Sequence, residues 1–147
     1  MNVAQPLLIP SAVHVAMVAH CLRESPLECC GVLGGLGRIV DSFYPFRNAK
    51  QSETRYEADP SDVIRAVVEL RKRGAEFVAI YHSHPKWQAV PSRTDLAENH
   101  YGDLPRIIVS LLDETPVVRA WKLCSDSYEE IPVTVLPTQV EPTTGTG

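Results

Sequence analysis

Residues 76–85 read EFVAIYHSHP, and the centre of that run, residues 77–81, is apolar almost without interruption. Successive side chains of an extended strand leave opposite faces, so a run that is apolar at nearly every position buries both of them. The stretch is therefore predicted to be a central strand of a sheet with further layers on each side. Pro85 ends it by withdrawing a backbone donor. A chain built around such a strand must supply helices to cover it.

The flanking sequence supplies them. Ser11 is predicted to cap a helix over residues 11–23, with Val13, Met17 and Cys21 as its buried stripe. CCGVLGG and GRIVDSFYPF read as paired strands, with Gly34, Gly35 and Gly37 at the turn. The polar connection FRNAKQSETRYEADP carries a short candidate strand at 54–57. Ser61 opens the clearest helical pattern, SDVIRAVVELRKRG, in which Val63, Val67 and Leu70 share a face and Gly74 occupies C′. Ser92 is predicted to cap a helix of about two turns, SRTDLAENHYG. PRIIVSLL and VVRAWKL are further strands, and YEEIPVTVL reads as one last edge strand. The class is α/β: a mixed β-sheet of five or six strands flanked by two long helices and one short one. Residues 1–136 read as one domain and 137–147 as a loose tail.

The chemistry concentrates at HSHPKWQAVPSRTD, residues 82–95. If strand geometry continues through His82 and His84, both imidazoles leave the same face and can grip one ion. Asp95 follows in the first turn of a helix, where its carboxylate can face back to the strand end. Two imidazoles, a carboxylate and a water form the tetrahedral arrangement of catalytic zinc. Taken singly, the same residues also fit ordinary roles. Ser92 and Asp95 complete a Ser-x-x-Asp capping pattern, and a lone His-x-His is a weak signal. Glu28, in SPLECCG, is the distant candidate base, although Ser25-Pro26-Leu27-Glu28 also matches a capping box.

Hydrophobic residues make up 44% of the 147 residues and charged residues 22%, the balance of a globular chain. The net charge of -4 offers no basic field, which argues against nucleic acid as a partner. The N-terminal segment has neither a basic n-region nor an unbroken apolar span, so a cytoplasmic protein with no membrane association is expected. The cysteines Cys21, Cys29, Cys30 and Cys124 match no zinc-finger spacing. They read as buried free thiols, with the adjacent Cys29 and Cys30 on opposite faces of a strand.

Together, Glu28 and the unbroken pattern His82, Ser83, His84, Pro85, seven residues, Ser92, two residues, Asp95 resemble the JAMM, or MPN-plus, metalloproteases. The similarity spans roughly residues 11–124. It implies the JAMM/MPN (cytidine deaminase-like) three-layer architecture and a Zn2+ ion held by His82, His84 and Asp95. It further implies Glu28 as the base that passes a proton to the leaving amine, and Ser92 as a donor to the developing oxyanion. The chain lacks the long insertions of the eukaryotic deubiquitinating members. It is similar to the compact prokaryotic type, and within that to the Mec-like peptidases that trim ubiquitin-like sulfur-carrier proteins. The implied reaction is hydrolysis of a peptide or isopeptide bond after a C-terminal Gly-Gly, and the resemblance also allows a homodimer. Trp87, Asn48 and Arg55 are candidates for the substrate groove, each with packing or turn bonding as the plainer role.

Alternatives remain at this point. A general isopeptidase would release modifiers from lysines, and a catalytically silent MPN-fold binding protein would have lost ligands that this chain keeps. A zinc deaminase needs His-x-Glu and Pro-Cys-x-x-Cys, which are absent here. Cysteine catalysis would need a base that Cys30 lacks nearby in sequence.

Overall fold

The computed structural model describes residues 5–137. Its elements, in chain order, are β1 (Leu7–Pro10), α1 (Ser11–Glu24), β2 (Cys30–Leu36), β3 (Ile39–Phe46), α2 (Pro60–Lys72), β4 (Glu76–His84), α3 (Arg93–Ala97), β5 (Arg106–Ser110), β6 (Val117–Leu123), β7 (Tyr128–Ile131) and β8 (Val133–Leu136). The strands form one mixed sheet in the order β7-β6-β5-β4-β2-β3-β1-β8. β4 pairs in parallel with β5 and antiparallel with β2, so the apolar strand does lie inside the sheet.

The sheet has eight strands rather than the expected five or six. β1 is only four residues long and carries too short a pattern to stand out from the helix it feeds. YEEIPVTVL is two strands. Pro132 interrupts the ladder, leaving β7 paired antiparallel with β6 and β8 paired in parallel with β1. The two ends of the strand order are thus joined through one residue. The sheet must curl until its edges approach. The candidate strand at 54–57 does not form; one isolated bridge, Asn48 to Ala58, closes that loop instead.

Helix starts also differ in detail. Ser11 is the first helical residue of α1, not its cap; Pro10 holds the cap position. α2 begins at Pro60, because the Asp59 carboxylate accepts the backbone N–H groups of Ser61 and Asp62. Arg73 is its C-cap, and Gly74 follows at φ +70, in the left-handed conformation that ends a helix. α3 stops at Ala97, after little more than one turn.

Strand alternation divides the core between the two faces. The inner face brings Leu33, Ala79, Tyr81, Ile107, Val109 and Ala120 against Met17 and Cys21 of α1. On the outer face, Cys30, Val32 and Ile80 meet Ala66 of α2. Further along that face Ile108 and Trp121 pack with Ala89 and Leu96, which ties down α3. The result is a three-layer architecture of helix, sheet and helices. Cys29 and Cys30 fall into the inner and outer clusters respectively, as the alternation predicts. All four cysteines are free thiols.

Gly31 shows how tightly the inner layer is packed. A Cβ there would lie 2.4 Å from the Tyr81 ring, which is fully buried and sits with its hydroxyl 2.7 Å from His20 Nδ1. Gly31→Ala is expected to lower stability by about 1–3 kcal/mol, the usual cost of overpacking, as read from denaturant midpoints. An unchanged midpoint would contradict the packing described.

Candidate metal and catalytic site

Strand geometry persists to His84, the last residue of β4, so His82 and His84 leave the sheet on the same outer face. α3 brings the third group. Its start is a reciprocal capping box. Ser92 Oγ accepts the Asp95 N–H at 3.0 Å, and the Ser92 N–H donates to Asp95 Oδ2 at 2.9 Å. The capping and ligand readings of Asp95 are therefore not rivals. The cap is what aims the carboxylate, leaving Oδ1 3.1 Å from His82 Nε2 and Oδ2 3.1 Å from His84 Nε2.

The two Nε2 atoms are themselves 3.3 Å apart. Ligands about 2.0–2.1 Å from a tetrahedral zinc are separated by about 3.3 Å, which is the spacing of the two Nε2 atoms, and each carboxylate oxygen stands 3.1 Å from one of them. Among the described residues, this is the one cluster of histidine, cysteine or acidic groups able to hold an ion. Proton arithmetic points the same way. His84 Nδ1 lies 2.7 Å from the Gln88 carbonyl, an acceptor only, so Nδ1 carries the hydrogen and Nε2 presents a lone pair to the cluster. Lone pairs of an imidazole and a carboxylate crowded at 3.1 Å are stabilised by a cation between them.

All three groups are buried: His82 at 0%, His84 at 4% and Asp95 at 7% exposure. Burial is the main cause that holds His82 below its usual pKa, against the pull of Asp95. Burial pushes Asp95 upward, yet the His82 and His84 rings and the Ser92 N–H outweigh it and keep the carboxyl well below the usual range. Both shifts favour metal-binding forms, a neutral imidazole and a carboxylate.

Glu28 reaches the site through sheet register. It lies just before β2, whose Cys30 pairs directly with His82. The segment is not helical, so Ser25 caps nothing through Glu28. Instead, the Glu28 N–H donates to the Ser52 carbonyl at 2.8 Å, and its carbonyl accepts from Asn48 Nδ2 at 3.0 Å. The side chain is buried, and its Oε1 has no hydrogen-bond partner among the described residues. Burial first, then the charges of Asp95 and Cys29, push its pKa up to about 9.

Two cavities meet at Glu28, Thr54 and Thr94. The larger, ≈ 380 Å³, is also lined by Arg55, Tyr56 and His100. The smaller, ≈ 260 Å³, is lined by His84, Trp87 and Ser92. Trp87 is partly exposed and packs its ring 5.3 Å from that of His84. Arg55 borders the larger cavity while paired with Glu98. Asn48 lines neither. Its amide donates to the carbonyls of Glu28 and Arg55 and accepts the N–H groups of Lys50 and Glu57, so it organises the loop behind Glu28.

Sequence reasoning missed Tyr56 and Arg106. Tyr56 stacks on His82 with centroids 4.6 Å apart. Arg106, fully buried, donates to the Tyr56 hydroxyl and to Asn99 Oδ1. Neither residue belongs to a spacing pattern, and only the fold brings them to the histidine.

Residues 10–124 match the family model of prokaryotic homologs of the JAB domain. A probable TtuB-protein conjugate cleaving protease of Thermus thermophilus is 40% identical over 93 residues, 63% of this chain and 62% of that protein. A CysO-cysteine peptidase of Mycobacterium tuberculosis is 33% identical over 124 residues, covering 82% of this chain and 85% of the relative. A solved structure from Desulfitobacterium hafniense superposes with a TM-score of 0.83 at 30% identity, over 88% of this chain and 92% of that one.

The Glu28 carboxyl generates a pH prediction for the metal-free protein. A folded-state pKa near 9 against an ordinary 4.5 means that folding favours the protonated form. That stability is present below about pH 4.5 and drains away as pH rises toward 9, by up to about 1.4 kcal/mol per unit. Glu28→Gln, which mimics the neutral acid, is therefore expected to gain stability over the wild type progressively from pH 5 to pH 8. Parallel stability curves for the two proteins would refute this. The fold, the His-x-His strand end and the family match agree: the chain belongs to the prokaryotic homologs of the JAB domain.

Proposed function

We propose that this chain is a zinc-dependent peptidase that hydrolyses the peptide or isopeptide bond after the C-terminal Gly-Gly of a ubiquitin-like sulfur-carrier protein. The buried triad of His82, His84 and Asp95, with Glu28, whose buried Oε1 has no hydrogen-bond partner among the described residues, carries this reading. The names of the Thermus and mycobacterial relatives support the substrate class.

His82, His84 and Asp95 hold the ion. When bound, zinc lowers the pKa of a water from 15.7 toward about 7 and polarises a carbonyl. Hydrolysis joins the water oxygen to the acyl carbon, breaks the C–N bond and requires a proton at the departing nitrogen. With a cation at the triad to favour its ionised form, Glu28 would accept the proton that water loses and deliver it to that amine. Its buried setting keeps the proton bound between the two events. Ser92 Oγ already accepts the Asp95 N–H, which leaves its own hydrogen for the carbonyl oxygen as that oxygen gains charge. The cavities on either side of Glu28 provide room for an extended acyl tail and for a leaving group. A Gly-Gly tail has no side chain to obstruct the narrow ground between them.

Among the described residues no helix is long and apolar enough to cross a membrane. The free cysteines are in keeping with a reducing, cytoplasmic compartment. Release of modifiers from lysines is the second reading, favoured by the conjugate-cleaving relative from Thermus.

The test is incubation of zinc-loaded protein with sulfur carriers extended past Gly-Gly by cysteine, and with lysine-linked conjugates, read by intact mass. Cleavage after Gly-Gly is expected. Glu28→Gln should retain zinc and lose at least about 10²-fold in rate, and Ser92→Ala should lose about 10²–10³-fold. No cleavage of either substrate class, or full activity of Glu28→Gln, would overturn the proposal.

A further inference from the structure

Three consecutive backbone carbonyls of the loop after β4 are each held by a side chain from a different strand. Ser110 Oγ of β5 donates to the Trp87 carbonyl at 2.5 Å. His84 Nδ1 of β4 donates to the Gln88 carbonyl at 2.7 Å. Trp121 Nε1 of β6 donates to the Ala89 carbonyl at 2.9 Å. β4, β5 and β6 are neighbours in the sheet, and Ser110 stands in register beside His84. The middle bond of the three sets which nitrogen of His84 carries hydrogen, and hence which one is free to ligate. The outer two bonds hold the peptide units on either side of it.

We infer that Ser110 and Trp121 are positioning residues for the metal site: by clamping the carbonyls of Trp87 and Ala89 they hold the Gln88 carbonyl against His84 Nδ1, so that Nε2 faces the ion. The inference rests on the metal reading above and deepens it. Trp121 acts on the third ligand as well. With Ile108 it forms the surface on which Ala89 and Leu96 pack, and Leu96 follows Asp95 in α3. One indole thus supports the carbonyl that orients His84 and the helix that carries Asp95. Its own ring is fixed by Arg119 on one side, 4.6 Å from the centroid, and by the edge of Tyr128. The Ser110 hydroxyl is likewise committed, since it accepts the Leu112 N–H at 3.2 Å while donating to Trp87. Partners that orient a ligating histidine typically change metal affinity 10–100-fold when removed.

Two variants test this. Trp121→Phe keeps an aromatic ring on the platform and removes the Nε1 donor, and Ser110→Ala removes the other donor. Zinc affinity is read by competition with a chromophoric chelator. Nitrogen NMR of the metal-free protein reports which His84 nitrogen is protonated, a property that a merely structural defect elsewhere would not move. The expected result is zinc binding weakened about 10-fold or more in each variant, together with loss of the single Nδ1-protonated form of His84. Wild-type affinity and an unchanged His84 tautomer in both variants would overturn the inference while leaving the metal site intact. A wild-type protein that fails to bind zinc would instead sink the functional reading on which it rests. Should Trp121→Phe fail to fold, Ser110→Ala decides.

Discussion

Two imidazoles and one carboxylate, drawn from two elements, bring their lone-pair atoms to nearest approaches of 3.1 and 3.3 Å in a place that water scarcely reaches. Burying a carboxylate costs several kcal/mol unless charge and hydrogen bonds compensate. Here the protein compensates incompletely with its own protons, because one imidazole has given its hydrogen to the Gln88 carbonyl. A divalent cation held there would complete the balance. The rest of the site follows from that requirement. Strand periodicity places two imidazoles on one face, a capping box fixes the carboxylate, and a clamped loop decides which nitrogen faces inward.

The sheet converts these local devices into a reactive site. Glu28 is 54 residues before His82 in the chain, yet the antiparallel register of Cys30 with His82 makes them neighbours. Asn48 secures that approach from behind by holding the Glu28 carbonyl. Tyr56 stacks on the His82 ring, and Arg106 braces Tyr56 from β5. The curled sheet with α1 on its inner face keeps β4 rigid, while the outer face supports α2, α3 and both cavities.

What the amino-acid sequence discloses here is mostly local physics. The apolar run of β4, the His-x-His at its end and the Ser92–Asp95 cap each depend on residues a few positions apart, and each forms as expected. Capping choices a residue or two apart were harder to separate, as when Asp59 rather than Ser61 caps α2. The missed features depend on distant pairing. β1 is too short to read alone and exists because β3 and β8 flank it. YEEIPVTVL has one hydropathy pattern across Pro132, but its halves find partners at opposite ends of the strand order. Tyr56 and Asn48 sit in a polar connection where no periodicity distinguishes a histidine cover from a loop organiser. Glu28 stood out in SPLECCG as a distant candidate base, but its approach to the site was not legible, because register across the sheet is what brings it there.

The most direct test of this account is X-ray absorption spectroscopy on the zinc-loaded protein, with metal content measured on the same sample. One zinc per chain is expected, coordinated by two imidazole nitrogens and one carboxylate oxygen at about 2.0–2.2 Å, with one further light-atom ligand. Zinc bound through cysteine sulfur at about 2.3 Å, or failure to bind one zinc per chain, would contradict the central claim.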